Sequence, residues 1–469
     1  MWDARTMGTN EQNSAPQDNP AEPQSTEPQQ AEPQSAEPQQ AGTRPAGPQP
    51  GTELELDVTN VAHGGIFVAR HKGRVVFVSD TLPGERVRAR LTEASHKSFW
   101  RAETVEVLKA APERQPHIWS AAALERAPED RAGGAEFGHI ELSHQRELKR
   151  QVLADAMKRM AGIETDVQVE PVPVGENASP GDALDGTGWR TRIRLQVADD
   201  GSVGPYAARS HRVIPIDDLP LAERQVEAAA PLGTRFPGAA SVDVVLPGEG
   251  DVQVLVAEKD GKGKRRPLPP RRITERVGDR AFRLDAGGFW QVHSRAAETL
   301  YAAVQEAIDE NLFDPRAANL DLYGGVGLLA AAVGDRFGST VRITSVEADA
   351  RATDDASENL AEWVGATAQT DRVDRFLQRA VRDAGAADRD RYAAATVILD
   401  PPRSGVGGAV VDQLGKLAPG QIVYVACDPV ALARDVALLS AHGYGLKSLR
   451  AFDLFPNTHH VEAVALLTK

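Results

Sequence analysis

The sequence predicts a multidomain chain: a small OB-like β-barrel, a central α+β domain and a C-terminal α/β domain with a Rossmann-like sheet. Three observations carry this. Residues 51–110 hold short β-branched runs punctuated by glycine turns. From about residue 281, strands and helices alternate. A glycine-rich turn, "LDLYGGVG", joins one of those strands to a helix.

The 469-residue length suits two or three domains, and 41% hydrophobic with 26% charged residues is a soluble globular composition. The single cysteine, Cys427, excludes an internal disulfide framework and any all-cysteine metal or iron–sulfur site. No apolar run is long enough to span a bilayer, and no basic start precedes an apolar core at the N-terminus. A cytoplasmic location without a membrane partner is expected. The net charge of -14 weighs against a nucleic-acid partner, but the local distribution of charge decides.

Residues 1–50 carry a pentapeptide repeat, AEPQS–TEPQQ–AEPQS–AEPQQ. Too few apolar groups are present to offset ordering entropy, so a disordered Pro/Gln-rich acidic tail is expected. In residues 51–110, the barrel, cations cluster: Arg70, Lys72 and Arg74, then Arg86, Arg88 and Arg90, then Lys97 and Arg101. Phe99 and Trp100 lie among them, a combination suited to single-stranded nucleic acid. Acidic residues are nearly as numerous, so a solvated barrel surface is the competing reading.

Residues 111–280 form the central domain. A helix is expected over 142–160, stopped by Gly162, with strands over 191–197, 241–246 and 252–257. The basic stretch 259–272 is a solvated loop or a further RNA-backbone contact. In 281–469 the expected order is helix 294–310, strand 319–322, a Gly-rich turn, a helix, then strand 342–346. Strands 396–399 and 422–425, helix 430–440 and strand 462–467 follow.

In the turn, Gly325 and Gly327 let the backbone approach a ligand closely, and Glu347 ends the next strand, where a carboxylate can bind ribose hydroxyls. Those features fit NAD or S-adenosylmethionine. Asp321 ahead of the turn, and Tyr323 at the first expected Gly position, favour the methyltransferase form. Asp400, in "LDPPRSGV", ends another strand on the ligand-binding edge. Cys427, in "YVACDPVALARD", follows a third. A helix starting near Pro429 would lower its thiol pKa through its positive end. A lone cysteine is otherwise usually a small buried hydrophobe.

Together, "YVACDPVALARD", "LDPPRSG", "LDLYGGVG" and "DLFPNTHHVEAV" resemble the RNA uracil-5-methyltransferase family, which uses S-adenosylmethionine to make 5-methyluridine in tRNA or rRNA. Residues 51–110 resemble, more loosely, the family's RNA-binding TRAM domain. The resemblance implies a seven-stranded methyltransferase sheet, Cys427 as nucleophile and Glu462 as general base. It places Gln291, Tyr323, Glu347 and Asp400 at the cofactor and ligand positions, beside Gly325 and Gly327. Phe289 and Trp290 are candidates for stacking on the target base, or for core packing. Many members carry an iron–sulfur cluster on four cysteines; here Ala132 and Ala135 flank Gly133-Gly134, so no cluster is expected. Asp428 and His293 stand where the family commonly has Asn, and an ionised Asp428 near the thiol would raise its pKa. RNA, either rRNA or tRNA, is the expected partner of a monomer. The alternatives are a non-catalytic RNA-binding or RNA-folding protein that keeps the fold, and an amino-group methyltransferase that does not use the cysteine.

Overall fold

The computed structural model describes residues 48–96, 98–175 and 179–469; the expected tail up to position 47, and Lys97, lie outside them. Strands β1 (Glu53–Ala62), β2 (Ile66–His71), β3 (Arg74–Ser79), β4 (Arg86–Glu93) and β5 (Phe99–Lys109) close a barrel in the order β1-β2-β3-β5-β4. Period-two alternation builds it. On β1, Leu56 and Val58 point inward while Glu55 and Asp57 face solvent. Inside, Phe67, Val76, Val78 and Val87 are fully buried. Each such side chain contributes roughly 1.5–3 kcal/mol of burial.

The barrel's cationic face differs from expectation. Arg86 pairs with Glu55 (2.7 Å), Arg88 with Glu106 (2.5 Å), Arg90 with Glu103 (2.8 Å) and Arg101 with Glu93 (3.3 Å). The cluster seen along the chain is neutralised by glutamates, most of them on neighbouring strands. Arg70 and Lys72 have no acidic partner among the described residues. Trp100 is buried under the Arg74 guanidinium, 4.6 Å from its ring centre, and so is not an exposed stacking platform.

Next come helix α1 (Leu142–Ala156), a π-helical turn Met157–Ala161, and Gly162 at φ +67°, which ends the helical stretch. Strand β6 (Val169–Pro171) and helix α2 (Pro180–Asp185) follow. Strands β7 (Arg192–Val197) and β8 (Val203–Gly204), helix α3 (Arg224–Ala229), and strands β9 (Ala239–Val245) and β10 (Gln253–Glu258) complete the middle region. Its antiparallel sheet has the order β10-β9-β7-β8. The basic stretch after β10 is also mostly paired: Arg265 with Asp243 (2.8 Å), Arg266 with Glu258 (3.6 Å), and Arg272 with Glu358.

A hairpin, β11 (Arg272–Val277) and β12 (Arg280–Asp285), leads into the C-terminal part. There, α4 (Ala296–Ala307), β13 (Asn319–Leu322), α5 (Leu328–Phe337), β14 (Ile343–Glu347), α6 (Ala350–Asn359) and β15 (Ala366–Thr370) alternate. They are followed by α7 (Val373–Asp383), α8 (Ala386–Ala393), β16 (Thr396–Leu399), α9 (Gly407–Leu417) and β17 (Gln421–Ala426). Helix α10 (Pro429–Ala441) and strands β18 (Gly445–Asp453) and β19 (Glu462–Thr468) end the chain. The central strands are apolar on both faces: Val423 and Val425 pack towards α4 and α5, Ile422 and Tyr424 towards α9 and α10.

The sheet order is β15-β14-β13-β16-β17-β19-β18-β6. It has eight strands rather than the seven expected: β6 adds in parallel to β18, with Val169 beside Ala451. Packing also does not divide at residue 281. The β11–β12 hairpin straddles that position, and α1 lays Leu153 against the C-terminal core. No helix among the described residues is long and apolar enough to cross a membrane.

Candidate active site

Register brings the candidate residues to one rim of the sheet. Val346 pairs with Leu322, Leu322 with Leu399, Leu399 with Tyr424, and Ala426 with Ala463. The residues that leave those strands on the same side are Glu347, Tyr323, Asp400, Cys427 and, on antiparallel β19, Glu462. In an open α/β sheet this carboxyl edge is where ligands bind.

The glycine-rich turn is shaped by close approach. A Cβ on Gly324 would lie 2.0 Å from Ser345 Oγ and 2.7 Å from Asp321 Oδ2, so only glycine fits. Gly325 and Gly327 sit at φ +54° and +87°, and Tyr323 is also left-handed at φ +64°. A bulky residue there is strained, a feature that collects at functional sites. Glu347 is fixed by the turn: its carboxylate accepts from Gly325 N (3.2 Å) and Asp349 N (2.8 Å). Beneath it, Asp321 is fully buried and accepts from Ser345 Oγ and Ala330 N, while Oδ1 has no partner. Burial pushes its carboxyl up to about 7. A glycine cradle, an anchored carboxylate and an unspent buried acceptor fit a nucleoside cofactor.

The far half of the rim crowds acids together. Burial, with Asp321 adding, pushes Asp400 up to about 7. Glu462 is raised well above the ordinary carboxylate range, first by burial and then by Asp400. The Cys427 thiol is raised too, by burial first, then Glu462, Asp400 and, least, Asp428; Arg403 opposes this. This corrects the expectation that the helix start lowers it. The first free amides of α10, Val430 N and Ala431 N, donate to Asp428 Oδ1 at 3.0 and 2.8 Å. The positive end of the helix is thus turned to Asp428 rather than to the sulfur.

Gln291 lies on the half-buried link between β12 and α4. Thr191 N, donating to Val292 O, ties that link to the middle region. No hydrogen bond among the described residues joins Gln291 to the other candidates. Trp290 is a core residue, 5.4 Å from the Phe282 ring centre, whereas Phe289 is 53% exposed. His293 is buried against Trp189 at 5.6 Å, and burial holds its imidazole down to about 3.

Several neighbours were not singled out from sequence. Arg403 Nη2 meets His460 Nε2 at 3.1 Å, and His459 faces Glu136 at 3.5 Å. Both histidines and Arg403 stand inside motifs already quoted, so a signal for them existed. Asn457, at φ +64°, donates to Asp185 O and Gly186 O and is held by Gln145, fixing the approach to Glu462. Asp435 accepts from Tyr424 Oη (2.7 Å) and Val406 N (2.8 Å), tying the Asp-Pro-Pro loop to α10.

Residues 278–469 match the family tRNA (uracil-5-)-methyltransferase, and residues 48–100 match the TRAM domain. An uncharacterized RNA methyltransferase of Streptomyces coelicolor is 37% identical over 455 residues, covering 89% of this chain and 93% of that protein. A 23S rRNA (uracil(1939)-C(5))-methyltransferase of Shewanella sp. (strain ANA-3) is 28% identical, covering 87% and 94%. The fold is that of the Pyrococcus abyssi tRNA (uracil-54, C5)-methyltransferase, solved with S-adenosyl-L-homocysteine. It superposes with a TM-score of 0.62 at 21% identity, over 88% of this chain and all of that one.

Proposed function

Because the chain belongs to the tRNA (uracil-5-)-methyltransferase family and is an RNA (uracil-5-)-methyltransferase, we propose that it methylates carbon 5 of a uridine in rRNA or tRNA through a covalent bond between Cys427 and carbon 6. The observation that carries this is the strand register: just beyond the Ala426–Ala463 pair lie Cys427, the first residue after β17, and Glu462, the first residue of β19. One sulfur and one carboxyl group thus share the end of an antiparallel pair.

S-adenosylmethionine, when bound, supplies the methyl group as an electrophilic sulfonium. The chain's residues do the rest. Glu347 and the Gly325–Gly327 turn hold the nucleoside end, and Tyr323, Asp400 and Gln291 contact the bound ligands. Cys427, as thiolate, adds to carbon 6 of uracil, and the ring electrons move to make carbon 5 a nucleophile. Once carbon 5 is methylated, the Glu462 carboxylate removes its proton. The C–H electron pair restores the 5,6 double bond and expels the Cys427 thiolate. A carboxylate with a raised pKa is the stronger base for that step, which suits the crowding around Glu462. The target base has to leave its stack to reach this rim.

An iron–sulfur cluster does not fit. The chain has one sulfur ligand, and Ala132 and Ala135 pack in an apolar cluster with Trp119 and Trp189. The test is 5-methyluridine formation from S-adenosylmethionine on unmodified tRNA and, separately, unmodified large-subunit rRNA. Product in one pool, abolished by Cys427→Ala, supports the proposal and identifies the substrate. Product that survives Cys427→Ala overturns the covalent route.

A further inference from the structure

The position after the cysteine carries a carboxylate, and that carboxylate is fully engaged. Asp428 Oδ1 takes two α10 amides, while Oδ2 takes His63 Nε2 at 2.8 Å. His63 belongs to the barrel, 365 residues earlier in the chain, on the tight turn between β1 and β2. The turn is seated as well as paired. Gly65, at φ +70°, lies so close to His459 that a Cβ would be 2.9 Å from its side chain. His63, Gly64, Cys427, Asp428, His459 and His460 line one narrow cleft, with Lys149 at its α1 side.

An asparagine at this position would cap α10 as well without adding charge. An aspartate adds a negative charge one residue from the sulfur, where Glu462 and Asp400 already disfavour a thiolate. Against these three acids the rim supplies Arg403 as its cation. The second cation comes from the barrel. We propose that His63 is a positioning residue for the catalytic cysteine: it holds the barrel against the α10 start and neutralises Asp428, making the Cys427 thiolate easier to form. The RNA-binding barrel thereby completes the electrostatics of the site. The hydrogen bond to Asp428 raises the His63 pKa against burial and Arg403, keeping the imidazolium charged above its usual range.

The proposal rests on Cys427 being the nucleophile, so the test reads the thiol without RNA or turnover. The chain's one cysteine makes iodoacetamide alkylation report Cys427 alone. Rates are measured by intact mass from pH 5.5 to 9.5 for the full chain, His63→Ala, Asp428→Asn and the double variant. S-adenosylhomocysteine binding serves as the folding control. Below the imidazole's titration, the parent should react about threefold faster than His63→Ala, half a unit of thiol pKa. The two should converge above it, leaving a bend in the parent's pH profile. In the Asp428→Asn background, His63→Ala should change neither rate nor shape. An offset that is constant with pH, one that persists in the Asp428→Asn background, or no offset overturns the proposal. Failure here leaves the covalent route to be judged by Cys427→Ala turnover.

Discussion

Cys427, the first residue after β17, and Glu462, the first residue of β19, both lie just past the Ala426–Ala463 pair, so the backbone ladder brings them to one end of the same antiparallel pair. The proposed nucleophile and the proposed base are thus placed at one end of the same ladder. Rigid strands hold such geometry better than loops do. The cost is electrostatic. Glu462 is buried and Cys427 half-buried beside Asp400; burial and Asp400 make both harder to ionise, and Glu462 adds to the effect on the thiol.

Replacing Asp400 exposes that cost. Its carboxyl group titrates at about 7, so a negative neighbour disfavours the Cys427 thiolate only above that pH. Asp400→Asn should alkylate about tenfold faster than the parent above pH 7 and equally below it. Methyl transfer should fall at all pH values. Alkylation rates across pH, with turnover measured in parallel, check both halves.

The turn below Tyr323 admits only glycine at 324. Gly324→Ala drives a methyl into Ser345 Oγ and Asp321. Overpacking of this kind costs about 1–3 kcal/mol, so S-adenosylhomocysteine affinity should fall about tenfold or more. Gly408→Ala, where a methyl meets open space, should bind as the parent does in calorimetry.

Lys149 is buried and donates to Asp453 Oδ1 (2.6 Å) and Phe455 O (3.0 Å), anchoring the segment ahead of Glu462. Lys149→Ala leaves the buried Asp453 carboxyl group with only the more distant Arg146 (3.9 Å) as cation and should cost about 3 kcal/mol in urea unfolding. Pairing Lys149→Met with Asp453→Leu should restore most of that loss.

The barrel carries its own acid-sensitive contact. Glu85 is buried and accepts from Thr81 Oγ1, Leu82 N and Arg114 Nε. Although burial raises its pKa, the bonds to Arg114 and Thr81 win and hold it low. The unfolded chain takes up this proton near pH 4.3, the folded one only at lower pH. The stability it contributes is therefore complete above the unfolded value and lost as pH falls through the folded one. Glu85→Gln should be destabilised at pH 6 and show a shallower loss of urea midpoint between pH 5 and 3.

The elements with strong patterns were legible in the sequence. Strands β13 (NLDL) and β16 (TVIL) have the bounds expected for them, because a short run rich in branched apolar residues ends at a turn signal in each. The motifs after β13, β16 and β17 arrive at one rim because parallel strands share direction, and the Glu462 motif reaches the same rim at the start of antiparallel β19. Strand β6 was not legible: three residues, "VEP", join the sheet through backbone bonds and show no periodicity. Counting cations along the barrel misled, since the neutralising glutamates lie on neighbouring strands. The thiol environment was missed for a similar reason. The amides expected to favour the thiolate are bonded by Asp428, whose other oxygen meets a histidine on a distant turn.

The most direct measurement traps the adduct. Glu462→Gln is incubated with S-adenosylmethionine and unmodified RNA, denatured, and run beside Cys427→Ala. Without a base for the carbon 5 proton, elimination should stall, and an RNA–protein band should appear whose peptide map ends at Cys427. Full 5-methyluridine turnover by Glu462→Gln with no such band, or a band that Cys427→Ala retains, would contradict the account.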